Sequence, residues 1–416
     1  MNFARVNREH LTLSVIAALY FVLAILYCHF TPYGMAPDEE AHGEYVRFVA
    51  ARHKLPVLSE GVTYEAHQPP LYYLLSLPFY AGAKLAGIQH PEVGARLLSI
   101  ILGALGVLVC YAAVRRTAPD RPEVATSVAS FVAFLPMRIA ISSSVSNDIL
   151  TELFFDTGIL LISRSMLYGV RLKETLFLGV VIGLGLITKT TCILLLPIGL
   201  VALLYASKAP TSEKLRHVAL TLLIASVLSG WWFIRNYAVY GDPLAASIFA
   251  KTFSHTARPE YWLEERGFSL GMYILLVAGW TFASFWGVFG HMNVFMPWWV
   301  YTILGVLTIA AGIGALREAS TLQEKGTLIR GMIRVYITVI MLVTLAFIAF
   351  NFRYFQAQGR YLHPALLPIS FFWIVGIGYL LPHSAKRFLP LFISTGMLVL
   401  SVAALITCVI PAWSGM

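Results

Sequence analysis

The chain has 416 residues, of which 58% are hydrophobic and 12% charged, with a formal net charge of +9. Soluble globular chains carry about 25% charged residues, so a soluble enzyme is excluded, and so is a disordered chain, which lacks apolar surface to bury. The bases are scattered between apolar runs, which excludes nucleic acid as a partner, and those runs are unbroken where a membrane barrel would alternate. An all-α polytopic membrane protein remains.

A membrane span needs about 20 mostly apolar residues. In chain order the apolar runs predict helices at 11–30, 94–114, 123–141, 149–167, 174–188, 190–206, 218–237, 297–316, 335–350, 364–381 and 389–410, about eleven in all. The first run is longer than the apolar part of a secretory signal and has no small-residue cleavage site, so it reads as a retained span. With the N-terminus in the cytoplasm, the basic loops around Arg115, Arg116, Arg121, Arg317, Arg330, Arg334, Lys386 and Arg387 all fall on the inner side, as the positive-inside rule requires. Two more apolar segments, 69–88 and 269–290, would invert every later loop if counted as spans. They read as helices that lie in the outer interface or dip partway in, the second a candidate re-entrant segment with Trp280 and Trp286 at the headgroup level. The expected organisation is one transmembrane domain over 1–416, with a first outer loop at 31–93, a second long outer segment at 238–296 and no separate soluble domain. No internal repeat suggests paired transporter halves. Cys28, Cys110, Cys192 and Cys408 all sit in apolar runs and read as free thiols.

In the first outer loop, Pro37 followed by Asp38, Glu39 and Glu40 marks a helix start, with acids at the positive end of the dipole. The helix would run to about His53 and lie flat on an apolar stripe of Ala41, Tyr45, Phe48 and Val49. Asp38 and His42 share a face as i and i+4 neighbours and form a candidate base pair. An ordinary capped amphipathic helix would carry the same acids. Further on, Pro69 and Pro70 fix an extended lead into the next helix, with His67 and Gln68 held just before it.

Polar residues inside a span are costly and mark function by default. Asp148, Glu152 and Asp156 line one face of the fourth predicted helix, with Asp148 at its outer end. The deeper two could instead be structural, paired with Arg138 or Arg235 or held by neutral neighbours. Three outer bases, Lys189, Arg235 and Arg360, sit at helix ends where a phosphate would lie; headgroup anchoring is the plainer alternative. Tyr64, Tyr72 and Trp286 could stack on a sugar face.

Six short motifs occur in order over residues 37–364: Pro37-Asp38-Glu39, His67-Gln68-Pro69-Pro70-Leu71-Tyr72, Asn147-Asp148, Trp232-Phe233-Ile234-Arg235-Asn236-Tyr237 with Tyr240-Gly241-Asp242-Pro243, Ser284-Phe285-Trp286-Gly287, and Gln358-Gly359-Arg360-Tyr361. Together they resemble the GT-C superfamily of integral-membrane glycosyltransferases, in its polyprenyl-phosphate-sugar-dependent branch, which includes protein O-mannosyltransferases and the lipid A aminoarabinose transferase. The resemblance implies that Asp38 is the catalytic base with Glu39 as its neighbour. It implies a substrate site drawn from His42, His67, Gln68, Tyr72, Asp148, Lys189, Arg235, Asn236, Arg360 and Tyr361. Some relatives carry lysine before the proline of the second motif, where this chain has Gln68. No cofactor is implied with certainty; a divalent metal held by Asp38, Asp148 and His42 is an option, since metal use varies in the superfamily.

The expected activity is inverting transfer of a sugar from a polyprenyl-phosphate donor to a glycan, lipid or protein hydroxyl, on the outer face of a bacterial-type inner membrane. Expected partners are that donor, the acceptor, membrane lipids and envelope-assembly proteins. No phosphate-cradling GxxxxGK[ST] loop is present, which fits a donor activated beforehand. The alternative is a secondary transporter or flippase of a lipid-linked sugar, with Asp148, Glu152 and Asp156 as a proton relay.

Overall fold

The computed structural model describes residues 3–59, 62, 64–205, 210–254, 256–324 and 326–415; side chains at 3–8, 204–205, 319–324 and 327 lie outside that description. Helices occupy every segment expected to hold one. Among the described residues, seven helices are long and apolar enough to cross a membrane: Glu9–Phe30, Pro91–Thr117, Thr211–Tyr240, Trp298–Glu318, Leu328–Asn351, Gly359–Leu380 and His383–Trp413. An eighth crossing is made if Pro122–Ala133 and Pro136–Ser142 form one span bent by 59°. The bend has a local cause. Leu135 precedes Pro136 and is extended (φ −74°, ψ 116°), as the proline ring disfavours helix at the residue before it.

The count therefore falls short of the eleven expected. The Asp148–Tyr168 helix has the length but carries Asp148, Glu152 and Asp156. Among the described residues, Leu172–Leu186 has 15 residues and Thr190–Leu203 is one of the shorter apolar helices, both short of the hydrocarbon thickness at 1.5 Å per residue. Leu71–Leu85 and Leu270–Trp286 are also short, at 15 and 17 residues. The helices bury one stripe and leave another apolar. The first helix buries Ile16, Tyr20, Leu23 and Tyr27 and exposes Leu11, Val15, Leu19 and Val22. Exposed apolar stripes of this kind suit lipid, not water, and the chain is an integral membrane protein. All four cysteines are free thiols.

The loop helix Glu39–Arg52 buries His42, Tyr45, Val46 and Val49, a stripe rotated from the one expected. It packs on Leu71–Leu85, where the Tyr45 and Tyr73 rings stack at 3.7 Å. Gly43 permits the approach, since a Cβ there would lie 2.0 Å from the Tyr33 hydroxyl. One buried ion pair ties this helix to the bundle. Arg96 donates from Nε and Nη2 to the two Glu39 oxygens at 2.6 and 2.7 Å. Its remaining N–H groups go to the carbonyls of Cys28, Thr31 and Pro32. Glu39 also accepts from the backbone N–H of Gly34 and Val145, each at 3.0 Å. Breaking a buried pair by removing one partner costs about 3–5 kcal/mol. Arg96→Met should lower the thermal stability of the purified chain by that amount, and adding Glu39→Met should recover most of it; an Arg96→Met variant that melts with the wild type would contradict the role of this pair.

Candidate functional site

The Glu39–Arg96 pair decides where Asp38 points. Glu39 is wholly buried, so its neighbour faces the other way, into a cavity of about 490 Å³. Asp38 is in the left-handed region (φ 57°, ψ 7°) and makes no side-chain cap for the helix it begins. A non-glycine residue in that conformation holds strain of about 1–3 kcal/mol, a feature that clusters at functional sites.

The cavity gathers Asp38, His42, His67, Gln68, Asp148, Lys189, Arg360 and Tyr361 from segments far apart in the chain. Arg360 bridges the two acids, donating to Asp38 from Nη2 and to Asp148 from Nη1 at 3.4 Å. Gln358 accepts from its Nε at 2.7 Å. Lys189 pairs with the other Asp148 oxygen and lies 5.7 Å from the Tyr361 ring centroid. Arg360 is 2% exposed, whereas the Asp38 side chain is 46% exposed. Burial alone would raise the Asp38 carboxyl, but the Arg360 guanidinium, helped by His42, more than offsets it and holds the group below its ordinary value. Burial pushes the His42 and His67 imidazoles down. His42 Nδ1 bonds the Tyr73 hydroxyl at 2.8 Å.

The motifs hold one another in place. Asn147 donates to the Gln68 side chain and the Thr188 carbonyl, both at 3.2 Å. This joins the segments before Leu71–Leu85, Asp148–Tyr168 and Lys189. Gly359 lies so close to the Leu270–Trp286 helix that a Cβ would sit 2.3 Å from the Phe285 nitrogen, and its N–H donates to Ser284 at 2.7 Å. The Ser284 and Gly359 motifs thus meet backbone to backbone and set Arg360 over the cavity.

Five residues expected at the site are placed elsewhere. Glu39, grouped with Asp38 as a catalytic residue, has both oxygens engaged by Arg96 and is a strut. Tyr72 is wholly buried, its hydroxyl bonded to Ser99 at 2.7 Å and accepting from the Ser146 N–H. Arg235 donates to the Pro56 carbonyl and packs over Trp232 and Tyr240, latching the first loop to the Thr211–Tyr240 helix. Asn236 bonds the Pro243 carbonyl at 3.3 Å. Trp286, expected to stack on a sugar, is 1% exposed in the core.

The acidic stripe is divided among partners. Asp148 pairs with Lys189 and Arg360, Glu152 with Arg138 at 2.5 Å, and Asp156 accepts from Cys110 at 3.1 Å. Arg138, not Arg235, is the partner of Glu152. Among the described residues no three His, Cys, Asp or Glu side chains converge as a metal site, and cationic side chains already neutralise Asp38 and Asp148. The metal arrangement considered from sequence does not fit these residues.

The cavity also contains groups the motifs did not mark. Glu65 accepts from Gln68 at 3.0 Å. Phe249 meets the His67 ring edge-on at 4.9 Å, carried by the Ala246–Thr252 helix, which Asp242 anchors by accepting from the Leu244 and Ser247 N–H groups. His363 follows Arg360 by three residues. On another side the lining is apolar, with Val343, Ala346, Phe347 and Phe350. Phe347 is shared with a second cavity of about 590 Å³, walled almost entirely by apolar side chains such as Val277, Phe282, Trp286 and Trp373.

A family profile described as dolichyl-phosphate-mannose-protein mannosyltransferase matches residues 67–233. An uncharacterized protein of Aquifex aeolicus is 29% identical over 182 residues, 42% of this chain and 34% of that one. The fold is similar to the oligosaccharyltransferase of Archaeoglobus fulgidus, solved with a tethered acceptor peptide, at TM-score 0.59 and 14% identity over 95% of this chain and 55% of that one. The same archaeal enzyme, AglB, in complex with an inhibitory peptide and dolichol-phosphate, matches at TM-score 0.61 and 14% identity over 97% of this chain and 56% of that one. ArnT from Cupriavidus metallidurans, bound to undecaprenyl phosphate, matches at TM-score 0.54 and 15% identity over 97% of this chain and 73% of that one. The chain thus spans about a third of the curated relative and about half of the archaeal enzyme.

The ion pairs predict a pH dependence. A carboxyl whose folded-state pKa is lowered contributes stability that is full above its unfolded value, about 3.9 for aspartate, and is lost as pH falls through the lower folded value. The melting-temperature difference between wild type and Asp38→Asn should therefore be constant from neutral pH to about pH 5 and shrink only below about pH 4; a difference that already collapses near pH 6 would contradict the Arg360 pairing. The matched segment and the architecture agree: the chain has the fold of the archaeal oligosaccharyltransferase and of ArnT.

Proposed function

We propose that this chain is a GT-C-type glycosyltransferase. It takes a sugar from a polyprenyl-phosphate donor and passes it to a hydroxyl of a glycan, lipid or protein acceptor on the outer face of a bacterial-type inner membrane. The observation that carries this reading is the meeting of Asp38, Asp148, Arg360 and Lys189 in one cavity that continues along an apolar wall. A lipid-linked sugar phosphate has that same division into anion, polar ring and apolar tail. Two similar structures hold undecaprenyl phosphate and dolichol-phosphate, which supports the donor class.

In this mechanism the acceptor hydroxyl donates a hydrogen bond to Asp38 and its oxygen attacks the anomeric carbon. The bond from that carbon to the phosphate oxygen breaks, its electron pair stays on the phosphate, and the hydroxyl proton passes to the Asp38 carboxylate. Attack opposite the leaving group inverts the anomeric centre. Arg360 and Lys189 stabilise the departing phosphate, which gains negative charge as it leaves. Arg360 serves two anions: drawn toward the phosphate, it frees Asp38 and makes it a stronger base. Asp148 stays behind to orient both cations.

The test compares cells with wild type, Asp38→Asn and a deletion, quantifying polyprenyl-phosphate sugars and envelope glycans by mass spectrometry. Loss of a positioned base slows transfer by about 10²–10⁴. Asp38→Asn, at normal protein level, should therefore accumulate one lipid-linked sugar and deplete one glycan as the deletion does. A variant indistinguishable from wild type beside an affected deletion would remove Asp38 as the base.

A further inference from the structure

Below the Asp38–Arg360–Asp148 group lies a second tier of polar side chains. Gly359–Ala365 is a 3₁₀ helix, in which residues three apart eclipse, so His363 stands under Arg360 on the same face. Glu152 stands one α-helical turn under Asp148. Both line the cavity. Glu152 is fixed there by Arg138, whose guanidinium also donates to the carbonyls of Gly103 at 3.0 Å and Val132 at 3.3 Å. His363 is 3% exposed and packs edge-on against Phe285 with centroids 5.8 Å apart. Its Nε2 has no hydrogen-bond partner among the described residues.

Buried polar atoms are nearly always satisfied, and an exception calls for a specific explanation. Here the unpartnered nitrogen belongs to a side chain at the wall of the cavity whose upper tier suits a phosphate. We infer that His363 and Glu152 form the donor-sugar subsite, with the imidazole bonding a ring hydroxyl and the carboxylate accepting from its neighbour. Along the backbone, Glu152 lies about 6 Å from Asp148 (four α-helical residues) and His363 about 6 Å from Arg360 (three 3₁₀ residues), a spacing that leaves room for one sugar ring. A neutral imidazole can donate or accept, and a carboxylate only accepts; together they suit a vicinal diol. This makes His363 a specificity-determining residue. A site built to bond a hydroxyl rejects an analogue lacking it far more strongly than an apolar pocket can.

The inference rests on the proposed donor class, and the experiment separates the two. Full-length chain in nanodiscs is titrated with citronellyl phosphate and with citronellyl-phosphate hexoses and pentoses. Wild type should bind one sugar-bearing probe more tightly than citronellyl phosphate. His363→Leu should lose about ten- to hundredfold for that probe, keep its affinity for citronellyl phosphate within about twofold, and melt no lower than wild type, because it removes an unsatisfied buried group. His363→Gln should recover part of the loss. Unchanged sugar affinity in His363→Leu would overturn the inference, leaving an internal water as the partner of the imidazole. So would a lowered melting temperature with both affinities lost, which marks a purely structural histidine. If wild type binds no sugar-bearing probe more tightly than citronellyl phosphate, the donor reading itself falls and takes this inference with it.

Discussion

The buried pair between Glu39 and Arg96 is the constraint on which the rest of the site depends. A charged pair in an apolar interior stabilises only if its remaining hydrogen-bonding capacity is filled, and here it is. Arg96 reaches three carbonyls at the end of the first helix, and Glu39 collects two backbone N–H groups from separate loops. One interaction therefore joins the first helix, the loop helix, the Pro91–Thr117 span and the segment leading to Asp148. Because adjacent residues at a helix start diverge, committing Glu39 inward commits Asp38 to the cavity.

Above that knot, the site is a matter of charge balance. Two carboxylates and two cations face each other in a poorly solvated space, where unpaired charge is expensive. Without substrate they neutralise each other. On the proposed reading, an incoming phosphate would not meet bare cations but would compete with Asp38 and Asp148 for them. That competition would link donor binding to the basicity of Asp38. The deeper acid, Glu152, is kept out of the contest by Arg138, whose position follows from the bend at Pro136.

Much of the fold was legible because a bilayer imposes a simple rule on apolar runs. The failures have physical causes. The three weakest spans are short, or carry acids that a hydropathy sum treats as spans only when the arrangement of loops demands it. Of the residues the motifs marked, Asp38, His67, Gln68, Asp148 and Arg360 line one cavity, together with the outer base Lys189. Motif membership does not tell direction, however. Tyr72 sits in a motif yet turns into the protein, and Arg235 lies at a helix end yet holds the first loop down. That Glu39 turns inward was not legible, because its partner, Arg96, is 57 residues away. His363 was passed over because three-residue spacing carries meaning only once the segment is known to be 3₁₀.

The measurement that tests the central claim most directly is the affinity of purified chain for undecaprenyl phosphate in wild type and Asp38→Asn, read beside single-turnover sugar transfer. If Asp38 is a base that competes with phosphate for Arg360, the variant binds undecaprenyl phosphate as tightly as wild type or more tightly, while transfer disappears. If binding is lost along with transfer, or transfer persists, Asp38 is not the base and the charge balance described here is wrong.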